Sequence, residues 1–234
     1  MIMDISELVV LAFSAAAMLS GWWSFQHLRL AKPDFGVFSL GDVGVMLVTI
    51  AVVPPLYLAI PTPVVAGILL LAVASSLHTL LNGILRSHRT VWSIISVALS
   101  ADVASAWLGA HDPAFAAINN VLLVAFTGSV AALWVQSGLR ARDAAVLMGG
   151  AALYDLIATG LLPVTDNLIG RLGEIPVAPV VRWGPVSIGL GDLLILTLTP
   201  VVLRKAFGDT AGVIAMTTGI LGIASALVMR ANGT

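Results

Sequence analysis

Apolar runs of membrane length recur along the whole sequence, and they restrict the chain to very few folds. Spans are read at Ile5–Phe25, Leu40–Ile60, Pro63–Leu85, Thr90–Gly109, Ala114–Gly138, Asp143–Leu162, Pro185–Leu203 and Thr210–Met229. About 20 apolar residues are enough to cross a bilayer as a helix. Inside hydrocarbon each run must satisfy its own backbone N–H and C=O groups, and the polar alternation of barrel strands is missing, so helices are expected. The chain reads as an all-α membrane protein, a polytopic helical bundle of about eight transmembrane helices. A single transmembrane domain covers 1–234, with spans one to five (1–138) as scaffold and 139–234 holding spans six and seven plus a terminal span.

Composition supports this class and removes others. With 59% hydrophobic and 10% charged residues, the chain lies far from soluble domains, of which about a quarter is charged. It has no basic patch for nucleic acid, and the lipid bilayer is its expected surrounding. Cysteine is absent, which excludes disulfides, thiol nucleophiles and thiolate metal sites. Ser14-Ala15-Ala16-Ala17 resembles a cleavage site, but Asp4 and Glu7 stand where a signal peptide carries positive charge, so a retained first span is expected.

Against this background an acid inside a span requires explanation, because an intramembrane carboxylate costs several kcal/mol unless paired, neutralised or hydrated. Asp192 lies in PVSIGLGDLLILTLTPVVLRK and Asp155 in ARDAAVLMGGAALYDLIATGLL, on consecutive spans. Asp155 is seven residues before Leu162 and Asp192 seven after Pro185. Consecutive spans run antiparallel, so at 1.5 Å per residue both sit roughly 10 Å below the same face. Gly189 and Gly191 leave little bulk where Asp192 enters, so another chain can approach closely. Two close carboxylates share a proton, which lets one activate water while the other protonates a carbonyl oxygen. Paired intramembrane acids also serve ion relays, and a proton-coupled transporter or channel is the alternative from another class. The related halves common in transporters are not seen.

Tyr154-Asp155 on one span, followed on the next by Gly189-Leu190-Gly191-Asp192, resembles the presenilin and signal peptide peptidase family of GxGD intramembrane aspartyl proteases. The resemblance covers about the last third of the chain. It implies a presenilin-like fold, Asp155 and Asp192 as the catalytic dyad, no cofactor, and cleavage of transmembrane helices or remnant signal peptides. Tyr154, Gly189, Leu190 and Gly191 then have supporting or substrate-contact roles. The family has a further span carrying Pro-Ala-Leu near the site. This sequence contains no such tripeptide, and Pro200-Val201-Val202 falls on the wrong span to replace it. An inactive relative that binds transmembrane helices is therefore a second alternative, and a partner subunit or second copy is one way to cover the missing side.

The remaining polar residues have quieter expectations. Asp102 lies seven residues before the end of span four, at a similar depth but without Tyr or Gly-x-Gly context. It is a possible third acid, expected foremost as a structural or proton-sharing carboxyl. Asp42 is expected at a helix start. His78 and Asn82 share a helix face, but His27, His88 and His111 fall in connections, so hydrogen bonds are expected there and no metal. Asn119 and Asn120, and the small residues Ala144, Ala145, Gly149, Gly150, Ala151 and Ala152, are expected to serve helix packing. Pro54-Pro55 should break or kink span two. The connection 163–184 ends in IPVAPVVRWGPVSIG, which favours extended chain. The resemblance implies that it offers an edge to a substrate, and the bland alternative is an interfacial loop.

Orientation follows from charge. Arg29, Lys32, Arg86, Arg89, Arg140, Arg142, Arg204 and Lys205 follow spans one, three, five and seven, whereas Arg171, Arg182 and Arg230 lie on the other side, 8 of the 11 cations against 3. The positive-inside rule then places the amino terminus and the connection between spans six and seven outside the cytoplasm. Substrates with cytoplasmic amino termini suit a site entered from that side.

Overall fold

A computed structural model describes residues 3–30, 38–109, 112–160 and 164–231. The readings that involve Lys32, His111, Leu162 and Pro163 lie outside the described residues.

Helix α1 (Ile5–His27) begins where Asp4 accepts the N–H groups of Ser6 and Glu7 while Glu7 returns a bond to Asp4 N at 3.0 Å. The two acids that stood in place of a positive leader are thus a helix cap. Ser39 and Asp42 repeat the device for α2 (Leu40–Ala59). Asp42 accepts from Ser39 N and Ser39 Oγ, each at 2.7 Å, which gives it the expected helix-start role. Of the expected break or kink at Pro54 and Pro55 the break does not occur; the helix runs through both. They remove only the donors aimed at the carbonyls of Ile50 and Ala51, and the turns on either side carry the helix on. Its end at Ala59 is followed at once by α3 (Thr62–Ile84), with Pro61 as the cap. Then come α4 (His88–Ala106), α5 (Pro113–Gln136) and α6 (Ala141–Gly160).

The connection after α6 holds more structure than the sequence reading foresaw. A short amphipathic helix, α7 (Val164–Leu172), comes first. Its Arg171 donates to the carbonyl of Leu58 and, at 2.6 Å, to that of Ile60, so a cation closes the carboxyl end of α2. Strands β1 (Val180–Trp183) and β2 (Val186–Gly189) then form an antiparallel hairpin with Val181 opposite Ile188 and Trp183 opposite Val186. Span seven therefore does not begin at Pro185. Gly184, at φ +57°, and Pro185 form a two-residue turn between β-branched stretches, and the helix α8 (Leu190–Phe207) starts five residues later. Helix α9 (Asp209–Ala231) ends the chain.

The centre of the bundle is α1 packed along α5, with α8 against both. A Cβ on Gly128 of α5 would collide with Ser20, and one on Gly21 of α1 would lie 2.7 Å from Thr197 Cγ2 of α8, so these glycines permit the close approach. Val10, Ala17, Met18, Leu123 and Leu193 fill the contact. Helices α3 and α4 flank α5, and α9 lies on α8. An outer layer of α2, α6 and α7 joins the core through α6 and α8. Gly150 of α6 accepts Leu47 of α2, while Thr199 Oγ1 of α8 lies 3.2 Å from Met148 Sδ of α6.

The chain is an all-α, multi-pass membrane bundle apart from this hairpin. Among the described residues five helices, α1, α2, α3, α5 and α9, are long and apolar enough to cross a bilayer. The three long helices that fall short are α4, α6 and α8, which carry Asp102, Asp155 and Asp192. Their acids, with Arg89 in α4, Arg142 in α6, and Arg204 and Lys205 in α8, depress the apolar character that marks the others.

Candidate active site

Asp155 occupies α6 five residues before its last residue, Gly160, and Asp192 is the third residue of α8. The expected depth of seven residues inside span seven is corrected by the hairpin: Asp192 sits in the first helical turn. Both acids nevertheless lie at the same end of the antiparallel α6–α8 pair, within about 8 Å of it at 1.5 Å per residue. The Asp155 carboxylate is near enough to act by charge on that of Asp192. The two residues are exposed on the surface of the chain, although protein crowds the Asp192 carboxylate.

Each carboxylate has a distinct support. Asp155 Oδ1 accepts Thr159 Oγ1 at 3.0 Å, a contact one helical turn away that the sequence reading missed although its i, i+4 spacing is legible. Asp192 accompanies a helix start that no side chain caps, because Gly189 is the cap residue. A carboxylate in this first turn faces unpaired N–H groups, a placement worth about 0.3–1 kcal/mol. A Cβ on Gly189 would lie 3.5 Å from Asp192 Oδ2, and around Gly191 nothing lies within 4 Å of a Cβ position. The Gly-x-Gly element therefore leaves open space beside Asp192. Tyr154 is half-buried, with a buried hydroxyl that has no hydrogen-bond partner among the described residues. Leu190 opens α8 and packs partly against the core.

The hairpin that delivers this element is held from α5. Asn119 Nδ2 donates to the carbonyls of Ala178 (3.1 Å) and Val180 (3.0 Å). Asn120 donates to Arg182 O at 2.9 Å and accepts Arg182 N at 3.0 Å. The expected packing role of both asparagines is thus met, against a strand instead of a helix. Since Val180 and Arg182 turn their backbone groups toward α5, their cross-strand partners Gly189 and Ser187 turn theirs away from β1. The described sheet has two strands, so this outer edge of β2 carries no strand.

Asp102 belongs elsewhere. It is fully buried, with Oδ2 accepting Val177 N at 2.6 Å and Oδ1 without a partner. Val177 has φ +54°, a left-handed conformation that is strained for a β-branched residue, three residues before β1. The carboxyl fixes the entry to the hairpin, the structural role expected first of this third acid. His78 Nε2 lies 3.3 Å from Asn82 Nδ2, and Asn82 Oδ1 lies 3.3 Å from His88 Nδ1, so the amide joins α3 to the start of α4. No group of three or more His, Asp or Glu able to hold a metal occurs among the described residues.

No family model, curated protein or solved structure matches the chain.

Proposed function

We propose that the chain is an intramembrane aspartic endopeptidase of presenilin-like type, in which α4, α6 and α8 complete a bundle of eight spanning helices. The observation that carries this reading is that Asp155 and Asp192 lie at one end of α6 and α8, with the Asp155 carboxylate near enough to act by charge on that of Asp192 and open space at Gly191. Two such carboxyls hold one proton between them at least cost. The unprotonated carboxyl takes a proton from water as the water oxygen bonds to the scissile carbonyl carbon, and the protonated carboxyl gives its proton to the carbonyl oxygen. Collapse of the tetrahedral diol then breaks the C–N bond, and the nitrogen leaves with a proton from the dyad.

Substrate must lose its helix before this chemistry, and the outer edge of β2 supports that step. Ser187 and Gly189 offer backbone groups to an extended segment immediately before Asp192, so a strand paired there passes the dyad. In this reading Tyr154 and Leu190 contact the substrate. The substrates are transmembrane helices or remnant signal peptides with cytoplasmic amino termini, with the chain's own amino terminus and the α7–hairpin connection outside the cytoplasm. For orientation, cysteines placed at Glu174 and Ser87, both exposed in a chain with no native cysteine, are labelled in intact cells with an impermeant reagent. Glu174→Cys reacts and Ser87→Cys does not; the opposite pattern overturns the orientation.

The activity itself is tested with purified protein and a helical membrane peptide, with and without a transition-state analogue of aspartyl proteases. Cleavage blocked by the analogue is expected. Peptide binding without cleavage identifies a non-proteolytic helix-binding protein, and proton flux without cleavage identifies a relay; either result overturns the proposal.

A further inference from the structure

The two faces of the hairpin differ in chemistry. Side chains alternate across a strand, so Val181, Trp183, Val186 and Ile188 point one way and Val180, Arg182, Ser187 and Gly189 the other. The first set packs on the core of the bundle. Of the second, Val180 is buried in a cluster with Phe115, while Arg182, Ser187 and Gly189 are half-buried and form the outer face. A Cβ on Gly189 would lie 3.5 Å from Asp192 Oδ2, so the Asp192 carboxylate stands on this same face. Arg182 is thus a cation carried on the face that leads to Asp192.

Its guanidinium has no partner. The backbone of Arg182 is held at both its N–H and its carbonyl by Asn120, but its side chain makes no ion pair or hydrogen bond among the described residues. The acids of neighbouring elements are engaged elsewhere. A Cβ on Gly184 would lie 3.1 Å from Ser6 Oγ, so the turn of the hairpin touches the start of α1, where Asp4 and Glu7 form the capping box. Asp112 accepts Ala114 N at 2.7 Å to cap α5, and Asp102 accepts Val177 N. Asp155 is the charged group that acts on the Asp192 carboxylate. A half-buried cation without an acid has given up hydration with no return, and an arginine recovers it best from the two oxygens of a carboxylate.

A substrate strand on the outer edge of β2 lies two strand spacings from β1, about 10 Å. Between them on this face stand Ser187 and Gly189, a hydroxymethyl group and a hydrogen, over which an extended arginine and a glutamate can meet. β2 runs toward Asp192, and a substrate with a cytoplasmic amino terminus leaves the dyad on the outer side. The paired flank is therefore the one carboxyl-terminal to the scissile bond, antiparallel to β2. We propose that Arg182 is a specificity-determining residue that binds an acidic side chain in this flank. The inference rests on the proteolytic reading and names a substrate feature for it.

The test uses the full chain in detergent with labelled membrane peptides that differ by a single Glu or Gln, moved one position at a time along that flank. Binding is read by fluorescence anisotropy and cleavage in parallel. Glu should lower Kd and KM about fivefold relative to Gln, and only at positions that share the face of Ser187, which alternate along the flank. Arg182→Gln should bring the Glu peptides to the level of the Gln peptides, with the unfolding temperature kept because the backbone bonds to Asn120 remain. Arg182→Glu should reverse the preference, favouring Lys over Glu at the same positions. No advantage of Glu at any position overturns the inference, while cleavage of the Gln peptides leaves the proteolytic reading standing. A Glu preference in binding without cleavage does the reverse: it upholds Arg182 as the reader of an acidic peptide and removes the protease. Equal loss for Glu and Gln peptides in Arg182→Gln assigns the side chain to the fold or to a phospholipid headgroup and overturns the inference.

Discussion

Asp102 and Asp192 stand on either side of the same hairpin, and their surroundings are opposite. Asp102, below the entry to β1, is fully buried and bonded to the backbone of Val177. Asp192, just past the exit of β2, is exposed, accepts no hydrogen bond among the described residues, and feels the charge of Asp155. A buried acid that spends its oxygen on a strained backbone is holding a shape. One that is exposed beside open space and a second acid is available for chemistry. The hairpin links the two, because what Asp102, Asn119 and Asn120 fix at its first strand sets where its second strand delivers Asp192.

The comparison breaks most visibly at the dyad. Asp155→Asn and Asp192→Asn should each lower cleavage by about 10²–10⁴-fold, the range of an acid–base contribution, while helix content and elution in detergent stay unchanged. Wild-type turnover in either variant would remove that residue from the mechanism.

Asp102 should respond in the other measurement. Asp102→Leu leaves the buried Val177 N–H without an acceptor, a loss of about 1–3 kcal/mol, seen as a lower unfolding temperature and a fall in turnover smaller than at the dyad. Asp102→Asn should be milder, since an amide accepts the same N–H and adds a donor to a corner where Asn119 Oδ1 also lacks a partner. If Asp102→Leu leaves the unfolding temperature unchanged, the carboxyl is not acting through that backbone. If Asp102→Asn abolishes turnover with stability intact, Asp102 belongs with the chemistry.

What the sequence made legible follows the range of the interactions. Local signals read true: Asp42 sits at the start of α2 as expected, and the apolar runs locate eight long helices to within a few residues except at α8. There the error was to continue a helix back through VSIG to Pro185, although Gly-Pro between VVRW and VSIG is itself a turn signal between strand formers. The antiparallel order of spans sufficed to bring Asp155 and Asp192 to one end. The bond from Asp102 to Val177 joins residues 75 apart in sequence and rests on a backbone angle, for which no residue pattern exists. Asn119 and Asn120 were legible as packing groups, but their target required knowing that the connection folds into strands.

The smallest effect tests the free edge of β2. Ser187 faces Arg182 in a pair whose backbone groups point away from each other, toward α5 on one side and outward on the other. Ser187→Pro therefore deletes an outward N–H and no bond of the hairpin, and proline is tolerated at a strand edge. Ile188 opposes Val181 in a bonded pair, so Ile188→Pro breaks the hairpin itself. If substrate pairs with this edge, Ser187→Pro loses one backbone hydrogen bond of about 1 kcal/mol, which raises KM about fivefold and leaves kcat and unfolding temperature near wild type. Ile188→Pro should lower kcat and stability together, as Asp102→Leu does. Equal KM in Ser187→Pro and wild type would mean that substrate reaches the dyad without pairing to β2, and the role of the hairpin would contract to positioning Asp192.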